Sequence, residues 1–251
     1  MPPFCLVAQD EFVFDPWQHF TAPNYWDEPP DKEFVVPGNR QAVKSVVEGL
    51  MDSNFDVSYS YRSDRGVGHA FVNTVLYLDW DRKGFPYPIA PCLVNCYGRM
   101  VISSHGSRLP LDADLAASEL DPPSPTPARC FDLGAAIARV TADSDLRVAL
   151  VASSSWSHAF LTRKNWYLYP DSEADAGLYQ ALSRGDYAAW RNVDRDRIEA
   201  DGQHEMLNWF CLVGAIDALQ LQTSHLAYVD SQLFNSDKAF GVFKTDAAAE
   251  A

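Results

Sequence analysis

Residues 149–161 read ALVASSSWSHAFL, and the fold class predicted from the sequence depends on how this segment is interpreted. Its first four residues are apolar and favour a buried strand, and the three serines that follow end the strand in a polar turn. His158 comes directly after this turn. Because open α/β sheets bind ligands past the carboxyl ends of their strands, His158 is a candidate site residue.

Helical patterns flank this predicted strand on both sides. Asn39 can cap a helix whose apolar residues recur every three or four positions between 42 and 51. A further helix is predicted from about Asp132 to Ala142. Downstream, EADAGLYQALSRGDYAAWRN predicts one or two amphipathic helices, and QHEMLNWFCLVGAIDAL predicts a helix that is buried on all sides.

Short extended patterns complete the prediction. Strands are expected in FCLVA, EFVF, FDVSYSY, LAYVDSQLF and AFGVF, and a buried strand in YPIAPCLVNCYG, while HAFVNTVLYLD favours a helix over a strand. The proline-containing segments 15–37 and 108–129 are predicted to be irregular. The pattern therefore predicts an α/β protein, a single domain over residues 1–240 with a mixed central sheet flanked by helices, and a tail at 241–251.

The charge balance narrows the class of partner. The chain has 20 Lys and Arg residues against 34 Asp and Glu residues, a net charge of −14. This charge disfavours nucleic acid and anionic membranes as partners, and no apolar run approaches the roughly 20 residues of a spanning helix. The opening MPPFCLVAQDEFVF has no secretory signal pattern, which predicts a cytoplasmic location. Five cysteines without a CxxC pair indicate neither a disulfide framework nor a thiolate zinc site.

His158 has two interpretations on the residues alone. It is either a catalytic acid or base, or a histidine whose ring nitrogens bond to nearby backbone. Ser155 and Ser157 flank the turn, but the stretch lacks the G-x-S-x-G pattern that a nucleophilic serine elbow needs. The sequence therefore disfavours a serine hydrolase.

Glu205 and His69 are the other two candidates. Glu205 precedes a run of buried residues, and a carboxylate in apolar surroundings must be paired, protonated or bound to a metal. The alternative is a first-turn glutamate that faces water. His204 points about 100° away from it on an ideal helix. Glycines before His69 allow close approach of the backbone to a ligand, or an ordinary turn before a helix.

Three motifs occur in a familiar order: GHAFVNTVLYLD with FPYPIAPCLVNCYG, VALVASSSWSHAF, and GQHEMLNWFCLVGA. Together they resemble the class III extradiol ring-cleavage dioxygenases, the family of the catalytic B subunit of protocatechuate 4,5-dioxygenase. The similarity extends from about Pro2 to the late 230s. It implies a non-haem Fe(II) enzyme that opens a catechol ring beside its two hydroxyls by inserting both atoms of O2.

The resemblance also assigns roles to single residues. It implies that Glu205 is an iron ligand, that His158 is the acid/base near the substrate, and that His69 contributes to substrate or oxygen handling. The implied partners are a catechol-type aromatic substrate, O2, and a small second subunit or further copies of the chain. In the family, two histidines and one glutamate hold Fe(II) and leave open positions for the substrates.

The sequence departs from the family pattern at two points, and two hypotheses about its function therefore stay open. The turn reads SSSWSH where the family more often has glycines, so Trp156 is expected to reshape the pocket wall. The two iron-binding histidines of the family belong to its first strand and loop units, and we expect them upstream of Met1. The first hypothesis is an extradiol dioxygenase. The second is a catalytically incompetent fragment or a non-catalytic binding module on the same scaffold.

Overall fold

The computed structural model describes residues 2–14, 28–29, 32–62, 68–99, 116, 118, 120–231, 233 and 235–245. The chain divides into two compact units, Pro2–Leu93 and Val94–Ala251. Helices and strands occur in both units, which confirms the predicted α/β class. The proposed boundary at residue 240 stays a prediction, and the tail beyond residue 245 lies outside the described residues.

The strands of the N-terminal unit form two small sheets. They are β1 (Phe4–Val7), β2 (Glu11–Phe14), β3 (Phe34–Pro37), β4 (Ser58–Ser60) and β5 (Cys92–Val94). One sheet has the order β4-β1-β5, with β1 and β4 parallel, and the other is the antiparallel pair β2-β3. The predictions for FCLVA, EFVF and FDVSYSY are confirmed. The strand in YPIAPCLVNCYG is confirmed at three residues, but the prediction that it is buried is wrong, because Leu93 is exposed.

Strand β3 corrects the end of the segment 15–37 that was predicted to be irregular. Its register pairs Glu11 with Pro37 and Phe14 with Phe34. Val36 is buried with Phe12 in the core of this unit. Strand β3 forms because the apolar side chain of Val36 can pack beside the partner strand β2. Most of the remaining segment lies outside the described residues.

Two helices complete the N-terminal unit, α1 (Arg40–Asp52) and α2 (His69–Leu78). Both were predicted and are confirmed. The Ala42 N–H donates to the Asn39 side chain at 2.9 Å, which caps α1. Helix α2 buries Val72, Val75 and Leu76 in the same core as β1, β2 and β3.

The C-terminal unit contains the other helices and a β-hairpin. Its elements are α3 (Pro127–Ala142), α4 (Ser172–Ser183), α5 (Tyr187–Arg191), α6 (Arg195–Ala200), α7 (Leu207–Leu219), β6 (Gln222–Val229) and β7 (Lys238–Lys244). The predicted helices and the strand in AFGVF are confirmed, whereas β6 covers only residues 226–229 of the strand predicted in LAYVDSQLF. Helix α3 begins at Pro127 instead of Asp132, which corrects the end of the irregular segment predicted at 108–129. Thr126 caps it, and proline suits the first helical position because no intrahelical donor is needed there.

Helices α3 and α7 contact each other through their backbones. A Cβ atom added to Gly134 of α3 would lie 1.7 Å from the Cys211 carbonyl oxygen of α7. A Cβ atom added to Gly214 of α7 would lie 1.9 Å from the Phe131 carbonyl oxygen of α3. Glycine at both positions therefore allows the close approach, and it places the buried α7 at a fixed distance from α3.

The strand predicted at the start of ALVASSSWSHAFL is wrong. Residues 146–155 are in neither a strand nor a helix, and Val148 and Val151 are 52% and 55% exposed. Within the described residues, no backbone hydrogen bond joins 147–152 to another segment. An apolar run becomes a strand only when a neighbouring strand takes up its backbone donors and acceptors.

No helix in the described part of the chain combines the length and the apolar character needed to span a bilayer. The longest, α3, has 16 residues.

Candidate functional site

Two turns of the C-terminal unit carry the site, the first turn (153–162) and the second turn (201–206). The His158 N–H donates to the Gly202 carbonyl at 3.0 Å, and the Thr162 hydroxyl donates to the His158 carbonyl at 2.7 Å. Gly202 has φ +69°, and a Cβ atom there would lie 2.3 Å from Thr162 Oγ1. The two turns are therefore joined where only glycine fits.

Trp156 fixes the first turn to the core. Its side chain has no exposed surface, and its ring centroid lies 5.4 Å from that of Trp209 and 5.9 Å from that of Trp190. Edge-on contacts of this kind add to the free energy of burial. Trp156 therefore packs inside the unit and does not line an open pocket wall, contrary to the expectation from the sequence.

Glu205 lies in the second turn, directly before α7, and its carboxylate accepts three hydrogen bonds. The Tyr97 hydroxyl donates to Oε1, and Oε2 lies 3.2 Å from His158 Nε2 and 3.4 Å from the Ser155 nitrogen. The side chain is only 17% exposed. Burial raises the pKa of Glu205, but the bonds from His158, Tyr97 and Ser155 outweigh it and hold the pKa at about 2. Glu205 is thus a charged, paired carboxylate and does not face water.

The contact with Glu205 also determines which ring nitrogen of His158 carries a hydrogen. An ionised carboxylate can only accept hydrogen bonds, so His158 Nε2 must carry a hydrogen. Nδ1 of the same ring is buried and has no hydrogen-bond partner among the described residues. His158 therefore pairs with Glu205 and not with nearby backbone. In its neutral form it keeps an unused acceptor at Nδ1.

His204, the neighbour of Glu205, is a third polar side chain in this region. It is buried, and its Nδ1 also lacks a hydrogen-bond partner within the part of the chain that the structure describes. Burial, and to a smaller extent His158, lower the pKa of His204 to about 4. The ring is therefore neutral at neutral pH.

The sequence did not single out Tyr97, whose hydroxyl bonds to Glu205. Burial and the Glu205 carboxylate raise the pKa of Tyr97 above its usual range, so the hydroxyl keeps its proton and donates it to the hydrogen bond. The available signal was its place three residues after β5, past the carboxyl end of a strand.

The described residues fit an iron site only in part. Glu205 offers an anionic oxygen, which is a suitable ligand for a divalent cation. Among the described residues, however, no group of three or more His, Cys, Asp or Glu side chains is placed to hold a metal ion. A complete ligand set is therefore not formed by this part of the chain.

His69, the other predicted site residue, is the first residue of α2 in the N-terminal unit and is exposed. It belongs to a different unit from His158 and Glu205. Its role in substrate or oxygen handling stays a prediction.

A family model described as the catalytic LigB subunit of aromatic ring-opening dioxygenase matches residues 114–241, just over half of the chain. The chain belongs to this family. The matched region of the LigB family contains both turns, with His158 and Glu205, together with α7. The family resemblance expected from the three sequence motifs is therefore confirmed.

A curated relative is a 2,3-dihydroxyphenylpropionate/2,3-dihydroxicinnamic acid 1,2-dioxygenase from Photorhabdus laumondii. The two proteins are 27% identical over 158 residues, which make up 63% of this chain and 37% of the relative. This LigB-family chain thus matches little more than a third of the length of that relative.

Proposed function

We propose that the chain is a non-haem Fe(II)-dependent extradiol dioxygenase, which opens a catechol-type ring by inserting both atoms of O2. The observation that carries the proposal is the partly buried, ionised Glu205 held against His158. This pair lies inside the region that matches the LigB family. The reaction named for the curated relative is of the same general kind.

The proposed role of Glu205 is that of the carboxylate ligand. When bound, Fe(II) would supply a centre at which the catechol oxygens and O2 meet. The described residues alone do not complete the ligand set of such a centre.

His158 is proposed to take the proton from a catechol hydroxyl. Imidazole is well suited to proton transfer near neutral pH, because its ordinary pKa lies close to that pH. The imidazolium formed in this way keeps its Nε2–H directed at Glu205, whose negative charge stabilises it. The same imidazolium can return the proton later in the reaction. Small serine side chains before His158 leave room for a planar ring beside it.

The test is oxygen uptake with Fe(II) and a panel of catechols, including carboxylated ones, together with the iron content of three variants. Glu205→Gln is expected to lose bound iron and to reduce ring cleavage by at least about 100-fold. His158→Gln is expected to keep iron and to slow turnover by about 100-fold or more. The control is Glu199→Gln, which alters another half-buried carboxylate outside the pair. Unchanged iron content in Glu205→Gln would refute the ligand assignment.

The second candidate function is a non-catalytic binding module or an incompetent fragment on the same scaffold. The described residues alone do not complete a ligand set, so this candidate stays open beside the first. Calorimetric titration of a catechol under argon separates the two candidates. Binding of the catechol without any oxygen uptake after Fe(II) and air are admitted supports the module, and ring-opened product excludes it.

We also propose that the chain assembles with a small second subunit or with further copies of itself. The description of the family as a catalytic subunit supports this partner. Sedimentation of the purified chain, alone and after co-expression with its genomic neighbours, tests the assembly.

A further inference from the structure

Asp175 is a fully buried carboxylate that contacts both turns of the site. It lies in the first turn of α4 and has no exposed surface. Its Oδ2 accepts hydrogen bonds from the Ser157 N–H at 3.0 Å and from the Ser157 hydroxyl at 2.6 Å. Its Oδ1 accepts a hydrogen bond from Gln203 Nε2 at 2.7 Å.

The partners of Asp175 are the neighbours of the proposed functional pair. Ser157 directly precedes His158, and Gln203 precedes Glu205 by two residues. Ser157 is held from a second direction, because its hydroxyl accepts the Asp171 N–H at 2.8 Å. Asp171 in turn caps α4 by accepting the Ala174 N–H at 3.2 Å. The beginning of α4 is therefore a rigid support to which both turns are attached.

We propose that Asp175 is a positioning residue that holds the His158 ring against Glu205 by binding the two turns at once. This inference rests on the proposed function, since it concerns the geometry of the same acid/base pair. Asp175 touches neither His158 nor Glu205 through a hydrogen bond of its own. It acts through Ser157 and Gln203, both of which are buried.

The chemistry of the contact explains why a carboxylate is used at this position. Three donors from two separate turns converge on one side chain, and a carboxylate has enough acceptor sites for all of them. A buried carboxylate is costly to ionise, and burial, with a smaller effect of Asp237, raises the pKa of Asp175 to about 7 in spite of these hydrogen bonds. Helix capping alone does not require such a residue, because Asp171 already caps α4.

The experiment compares Asp175→Ala and Asp175→Asn with wild type. Asparagine keeps an oxygen for Ser157, and its NH2 group is accommodated if the Gln203 amide turns over, so Asp175→Asn is the conservative rescue variant. The control is Asp186→Ala, which removes the cap of α5 without touching either turn. The first readout is 13C relaxation dispersion of the His158 ring in the metal-free protein, with the signal assigned from the His158→Gln spectrum.

Asp175→Ala is expected to give exchange broadening at His158, and where ring cleavage is measured, kcat is expected to fall about 100-fold with iron content and KM little changed. Asp175→Asn is expected to restore the sharp His158 signal and to bring kcat within about tenfold of wild type. Asp186→Ala lowers the melting temperature but leaves the His158 signal sharp.

An unchanged His158 signal in Asp175→Ala overturns the proposal, and so does an unchanged kcat in an active, fully iron-loaded sample. If Asp175→Ala does not fold, Gln203→Ala takes its place, because it removes one of the two attachments. If no preparation cleaves a catechol, the proposed function fails, and the His158 signal alone decides the role of Asp175.

Discussion

The apolar run 146–152 and the serine-rich turn that follows it have the opposite burial to that expected from their composition. Val148 and Val151 are more than half exposed, whereas Trp156 and Ser157 have no exposed surface. The backbone of 147–152 has no hydrogen-bond partner among the described residues. In contrast, the single residue Ser157 forms hydrogen bonds with both Asp171 and Asp175. Burial here follows the supply of hydrogen-bond and packing partners, and hydrophobicity alone does not decide it.

The largest expected change in the free energy of unfolding comes from removing Trp156, the buried residue that packs the first turn against the core. Trp156→Ala removes a fully buried indole and should lower the free energy of unfolding by about 3–5 kcal/mol. The matched control is Trp166→Ala, because Trp166 is 79% exposed and its loss should change that free energy by less than about 0.5 kcal/mol. Urea denaturation of the three proteins measures both values. Similar losses for the two variants would contradict the contrast between a buried turn and its exposed surroundings.

A second prediction concerns Asp175, the buried carboxyl group that binds both turns. The pKa of Asp175 is raised from its usual value to about 7, so the folded protein keeps a proton there that the unfolded chain has already lost. The stabilisation from that proton is complete below about pH 4 and disappears as the pH rises through 7. Relative to Asp175→Asn, wild type should therefore lose on the order of 4 kcal/mol of unfolding free energy across this range. Urea denaturation at pH 4.5, 6, 7 and 8.5 checks it, and a constant difference between the two proteins would be the contrary result.

The smallest expected change in the free energy of unfolding comes from substitutions in the exposed apolar run 146–152. Val148→Thr and Val151→Thr change residues that are already half exposed, so each should alter the free energy of unfolding by less than about 0.5 kcal/mol. Val213→Thr is the matched control, because Val213 is buried in α7 and a hydroxyl there should cost about 1–3 kcal/mol. Thermal and urea unfolding compare the three variants. Equal effects at Val148 and Val213 would show that the run is packed against other residues.

The helices could be predicted because their evidence is local. The spacing of apolar residues and the cap at Asn39 identify α1, and the continuous apolar surface of 207–219 identifies α7. A strand depends on a partner that its own sequence does not contain, so the run at 149–152 was predicted as a strand that does not form. The start of α3 was missed because Pro127, which opens the helix, was interpreted together with the prolines of the preceding loop.

The proposed pair could be named from the sequence, but its supporting residues could not. His158 and Glu205 were candidates because one follows a polar turn and the other precedes a buried helix, and the family resemblance then supplied their expected roles. Asp175 looked like an ordinary acidic residue in the first turn of a helix, and Gln203 carried no signal at all. Their importance arises from contacts between residues 18 and 28 positions apart in the chain, which no local pattern records.

The backbone contact between α3 and α7 does not tolerate a side chain at either of its two glycines. Gly134 and Gly214 leave no gap for even one methyl group, so any larger residue must push the two helices apart. Because Glu205 lies only two residues before the first residue of α7, such a shift would move the carboxylate relative to the imidazole that it pairs with. A change far along the helix would thus appear as a defect in proton transfer, although no residue of the pair had been altered.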